Sequence, residues 1–124
     1  MDRHAVAQWI GSYERAWRMP GTEELGRLFA PDATYAQGPY REPVTGLAAI
    51  AEMWEAERRG PDEDFTMTSA LVALDGDVAV ARVEVHYRYD DGREWRDLWV
   101  MRFDEHGLCS AFEEWPFAPD RPGA

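Results

Sequence analysis

A chain of 124 residues, 45% of them apolar, holds one domain with a single core. Thirteen basic against twenty-four acidic residues leave a formal charge of -11, whose field repels nucleic acid and anionic membrane surfaces, so neither is expected as a partner. One cysteine excludes an internal disulfide, and three histidines far apart in the chain offer no metal-ligand spacing, so a metal site is not expected.

The first residues, MDRHAVAQWIGSYERAW, have charges scattered through them, and no later stretch approaches the length that spans a bilayer. A soluble, cytoplasmic protein is expected. Val6, Trp9, Ile10, Tyr13, Ala16 and Trp17 recur at helical spacing, which predicts a first helix capped by Asp2 or its neighbours. Thr22 and the two glutamates after it predict a second, shorter helix with Leu25, Leu28 and Phe29 on one face, stopped by Pro31. The stretch PDATYAQGPYREPVTG, residues 31–46, is too broken by proline and glycine to read as core. A third helix is predicted from near Thr45 and Gly46, with Leu47, Ile50, Met53 and Trp54 inward, to Gly60 and Pro61.

Beyond Pro61 the pattern alternates, in runs near 65–74, 78–89, 93–103 and 108–117, separated by the turn sequences DGD, DDG and DEHG. Helices followed by an antiparallel meander are the α+β layout, a single domain over residues 1–118, with a Pro/Gly-rich flexible tail at 119–124.

Three short helices and a four-stranded meander, with FAPDATY after the second helix, RFDEHG at the last hairpin and EEWPF in the last strand, resemble the nuclear transport factor 2-like superfamily. Within it the chain is similar to the SnoaL-like and ketosteroid-isomerase-like branch. The resemblance implies a cone, a curved sheet wrapped around the helices and open at one end, and a homodimer. It also implies three isomerase positions, which fall here on Tyr13, Gln37 and Trp99. Glutamine accepts no proton near neutral pH and a tryptophan offers a single N–H, so ketosteroid isomerase chemistry by those groups is excluded. Residues 33–40 are then expected to wall the mouth of the cone, with Tyr35, Gln37 and Tyr40 as recognition groups.

In GREWRDLWVMRF the concave face carries Trp95, Asp97, Trp99, Met101 and Phe103, which leaves Asp97 between two tryptophans on an apolar face. A four-residue DEHG turn with Gly107 left-handed pairs Phe103 with Leu108, Trp99 with Phe112, and Asp97 with Glu114. Two carboxyls facing each other titrate as one unit, and one of them holds a proton near neutrality. The DDG turn leaves a fork. A three-residue loop pairs Tyr89 with Arg93 and puts Val85 opposite Asp97, whereas a two-residue loop puts His86 there. The first is preferred because it keeps Arg82, Glu84, His86 and Arg88 together outside.

The expected catalytic groups are therefore Asp97, Glu114 and Tyr13, and the expected ligand-binding residues Tyr35, Gln37, Tyr40, Trp54, Trp95, Trp99 and Phe112. The ligand is expected to be a small apolar or aromatic molecule bearing a hydroxyl or carbonyl. No nucleotide, flavin or phosphate cradle is visible, so no cofactor is expected. Two functions remain open: a cofactor-free isomerase, cyclase or hydratase, and a binding module that leaves its ligand unchanged.

Overall fold

The first helix, α1, runs Arg3–Arg18, and the Asp2 side chain caps it by accepting from the Ala5 N–H. Its apolar stripe, Val6, Trp9, Ile10, Tyr13 and Ala16, is buried. The computed structural model describes residues 1–58, 63–88 and 92–121. The second helix, α2, is one turn, Leu25–Leu28, shorter than the sequence pattern predicts. Phe29 does not extend it but opens a strand, β1, Phe29–Ala36. Pro31 sits inside that strand at no cost, because pairing with its neighbour is interrupted between Phe29 and Thr34, where the missing N–H is not needed.

So the first half of the 31–46 stretch is sheet rather than loop, and Ala33 and Tyr35 are core. A two-residue strand, β2, Val44–Thr45, pairs back onto Thr34 and Tyr35. Gly46 then turns the chain into α3, Leu47–Glu57, with φ 92° and its N–H held by the Ala33 carbonyl at 2.8 Å. A side chain at that φ would be strained. The helix ends at Glu57, and the expected boundary at Gly60–Pro61 lies outside the described residues. Arg58 follows, buried, and donates to the carbonyls of Ala16, Met19 and Gly21 while pairing with Glu55. A cation on the last carbonyls of α1 matches the helix dipole and ties the ends of α1 and α3 together.

The meander follows as β3 Phe65–Asp75, β4 Val78–Tyr87, β5 Glu94–Phe103 and β6 Cys109–Phe117. The sheet has six strands rather than four, in the order β2-β1-β6-β5-β4-β3, with β1 and β6 parallel and the other pairs antiparallel. It is a curved, unclosed sheet around the helices, the α+β cone.

Both expected registers shift by an even step. Arg88 leaves the β4 ladder to donate to the Asp64 carbonyl, so the hairpin closes at Tyr87 N–H to Arg93 carbonyl, 2.8 Å, and Val83 rather than Val85 faces Asp97. Tyr89, whose pairing with Arg93 was expected, lies outside the described residues, as do Asp90 and Asp91. At the last hairpin the Asp104 carboxylate accepts from His106 and Leu108 N–H groups, which lengthens the turn so that Phe103 meets Cys109. A bulge at Ser110 adds a second residue. Trp99 then faces Glu114, and Asp97 faces Pro116 rather than Glu114. Because both slips are by two, every side chain keeps its expected face. The tail folds back in a turn between Ala118 and Arg121, and residues 122–124 lie outside the described residues.

Candidate functional site

The helices do not fill the cone. A cavity of about 400 Å³ opens among α1, α3, β1 and the concave face of β3–β6. Nine of the ten expected site residues can be followed into or behind its wall. Tyr13 from α1, Tyr35 and Gln37 at the end of β1, Trp54 from α3, Trp95, Asp97 and Trp99 from β5, and Glu114 from β6 all line it. Phe112 does not. It lies one step deeper on β6, stacked on Tyr13 with ring centres 5.6 Å apart and 4.5 Å from the Tyr35 ring, so it supports the floor from behind. Tyr40 belongs to neither group, being fully exposed beyond β1. The strand that draws Tyr35 inward ends before it, which a loop reading of 33–40 had no means to show.

The polar groups form two connected sets. Tyr13 and Tyr35, both buried, share a hydrogen bond of 2.5 Å between their hydroxyls. Burial first, and then the nearby Glu114 carboxyl, hold both phenols well above their ordinary range, so each keeps its proton. Whichever donates to the other, one O–H of the pair is left to give elsewhere.

The second set is the carboxyls. Asp97 is 7% exposed, its Oδ2 accepting from Trp99 Nε1 at 3.4 Å and its Oδ1 buried with no hydrogen-bond partner among the described residues. Burial raises its pKa from 3.8 to about 6, against the smaller opposing effect of the Trp99 N–H. Glu114 sits diagonally across the ladder from it, a separation of roughly 7–8 Å between backbones. Burial, then the charge of Asp97, then that of Glu57 raise Glu114 from 4.5 to about 8, with Arg41 pulling the other way. The mutual repulsion falls on Glu114 because Asp97 ionises first. Near neutral pH the pair therefore holds one proton.

Several groups beyond the expected ten also stand at this site. Glu57 at the end of α3, Arg41 in the segment between β1 and β2, and Trp17, Met67 and Tyr87 all line the cavity. Trp17 reads in the sequence as part of the α1 stripe, Tyr87 as an inner-face residue of its strand and Arg41 as one possible partner of the two carboxyls, whereas Glu57 and Met67 carry no sign of the cavity. Burial and neighbouring acids push the Tyr87 phenol up to about 12. The histidines stay outside: His86 pairs with Glu94 at 2.8 Å on the convex face and His106 is in the turn beside Glu105. Burial holds the Cys109 thiol at about 12, far from a reactive thiolate. Among the described residues no three acidic, histidine or cysteine side chains come together as metal ligands. No described helix is long and apolar enough to cross a membrane.

Known proteins agree with this geometry at the level of fold. A sequence profile of the SnoaL-like domain matches residues 10–112. No curated protein sequence matches the chain. A candidate ketosteroid isomerase from Kribbella flavida DSM 17836 is 22% identical with a TM-score of 0.67, the match covering 98% of this chain and 78% of that one. A computationally designed 17-OHP binder is 16% identical with a TM-score of 0.70, covering 91% of this chain and 93% of the design. At these identities the likeness is one of backbone architecture.

Proposed function

The chain belongs to the SnoaL-like domain family, and on that premise we propose that it is a cofactor-free enzyme acting by acid/base proton transfer on a small hydrophobic or aromatic compound, an isomerase, cyclase or hydratase. The observation that carries this reading is the carboxyl pair in an aromatic cavity, with Asp97 at about 6 and Glu114 at about 8. In the case of isomerisation, Asp97 is the base at neutral pH. It takes a proton from carbon and, as the acid so formed, returns it at another position, which leaves the enzyme unchanged. The negative charge that develops meanwhile on the substrate oxygen meets the free O–H of the Tyr13–Tyr35 pair, whose raised pKa values keep it a donor.

The test is exchange in heavy water. Enolisable aryl ketones such as 2-tetralone are incubated with the protein and followed by proton NMR. Loss of the α C–H signal faster than in buffer supports the reading, and ketones that bind without exchanging sink it. That second outcome is what a binding module gives, and two points favour it: the family resemblance puts Gln37 and Trp99, both lining the cavity, at an isomerase's acid positions, and a designed protein of this architecture is a 17-OHP binder.

A homodimer through the convex face of the sheet fits the partly buried Leu98, Val100 and Trp115 there, beside the Arg96–Glu84 pair at 3.6 Å. Sedimentation equilibrium reports it directly: a single species at 14.2 kDa would rule the dimer out.

A further inference from the structure

Three carboxyls and two guanidiniums, Arg41 and Arg93, line the cavity, and both guanidiniums are exposed at its rim while the acids on β5 and β6 lie deeper. Asp97 from β5, Glu114 from β6 and Glu57 from α3 all reach it. Nothing among the described residues bonds Asp97 Oδ1 although the side chain is more than nine-tenths buried. Glu114, partly buried beside it, is pushed up by burial and by the charges of Asp97 and Glu57. The remaining groups facing Glu114 are the phenols of Tyr13, Tyr35 and Tyr87, which stay neutral, and Arg41. Arg41 is exposed at the rim, and its effect on Glu114 ranks below those of Asp97 and of Glu57. The net field at Glu114 is therefore negative. A buried carboxylate oxygen without a partner is costly, and native proteins retain one where something else supplies the missing partner.

The walls say what kind of charge fits. Trp17, Trp54, Trp95 and Trp99 line the same space, and indole rings are the best of the side chains at attracting an organic cation. Arg58 already lies over Trp17 and Trp54 and Arg93 over Trp95, each on one face of the ring, so the second faces and Trp99 are what a ligand would meet. The acids do not converge as metal ligands do, so a compact ion is a poor match and a larger, diffuse one a good match.

We propose that the ligand of this cavity is an organic cation, a protonated or quaternary amine on an aromatic or alicyclic frame, held between the Asp97 and Glu114 carboxyls and the surrounding tryptophan rings. The inference rests on the acid/base reading above and names its substrate class. In the complex Glu114 is the counter-ion of the ammonium, so at pH 7 it gives its proton to solvent on binding, and the Tyr13–Tyr35 pair alone faces the reacting oxygen.

Isothermal titration calorimetry with three probes of one shape tests it: 1-naphthylmethylamine, 1-naphthalenemethanol and 1-naphthoate, at pH 7 in phosphate and in Tris. The amine is expected to bind at least ~10-fold more tightly than the alcohol, a difference on the scale of one desolvated cation–π contact. The heat should differ between the buffers in proportion to a released proton. Glu114→Gln should abolish that release and shrink the preference, and Glu57→Gln at the exposed rim should shrink the preference but keep the release. An alcohol or carboxylate that binds as well as the amine overturns the proposal, as does proton release that persists in Glu114→Gln. Either result with the raised Glu114 titration intact refutes the charge of the ligand alone. Ordinary titration of both carboxyls refutes the acid/base reading itself.

Discussion

Glu114→Gln is expected to melt well above the wild type at pH 9 and at nearly the same temperature at pH 4. The folded protein holds the Glu114 proton more tightly than the unfolded chain does, with its pKa raised from 4.5 to about 8. Between those values the folded state carries the extra proton, so stability falls as pH rises through the window and the full penalty stands above it. A displacement of this size is worth on the order of 4 kcal/mol when fully developed. For a domain of 124 residues that corresponds to roughly 10–15 °C in Tm. Glutamine has the shape of the protonated acid and no charge to desolvate, so the variant escapes the loss. Asp97 still titrates in it, raised from 3.8 to about 6 by burial that the substitution leaves in place, and a smaller decline between those values should remain. Superimposable melting curves against pH for variant and wild type would mean that Glu114 is solvated.

Asp97→Asn is expected to lower kcat for any proton transfer the protein catalyses by about 100- to 10,000-fold, the usual contribution of one positioned base. The amide keeps the volume and still offers an oxygen to the Trp99 N–H, so the 3.4 Å contact and the packing of Trp99 against Phe112, ring centres 5.0 Å apart, have no reason to change. KM should therefore move little, which separates loss of the base from loss of the pocket. Unchanged kcat in Asp97→Asn would remove Asp97 from the chemistry.

How much of this is legible in the sequence differs element by element. The stripe Val6, Trp9, Ile10, Tyr13, Ala16 and the alternation in β4 and β5 state their periods plainly, because each buries one face only. The strand Phe29–Ala36 does not, since Pro31 and Asp32 interrupt its inner half and its main partner, β6, lies some eighty residues away and runs parallel. Local pattern carries no information about a partner that distant. Registers are legible only in parity. The turn at Asp104 and the bulge at Ser110 each add a residue that no propensity records, yet together they leave Asp97 and Glu114 on the concave face. For the site, an acid on an apolar strand face marks Asp97 and Glu114, and Arg41 is readable as a possible partner for them, whereas the sequence offers no sign that Glu57 meets them or that Tyr40 turns away. Those depend on where a helix ends and how a segment folds across the rim.

The central claim is that two carboxyls share one proton inside the cone, and carbon-detected NMR of the Asp97 and Glu114 side-chain carboxyls against pH measures it. Wild type should give a coupled titration with apparent values near 6 and 8. In Asp97→Asn the Glu114 value should fall, because the charge of Asp97 is gone, but stay above the ordinary range, because burial remains. Two independent titrations at ordinary acidic values in the wild type would contradict the account.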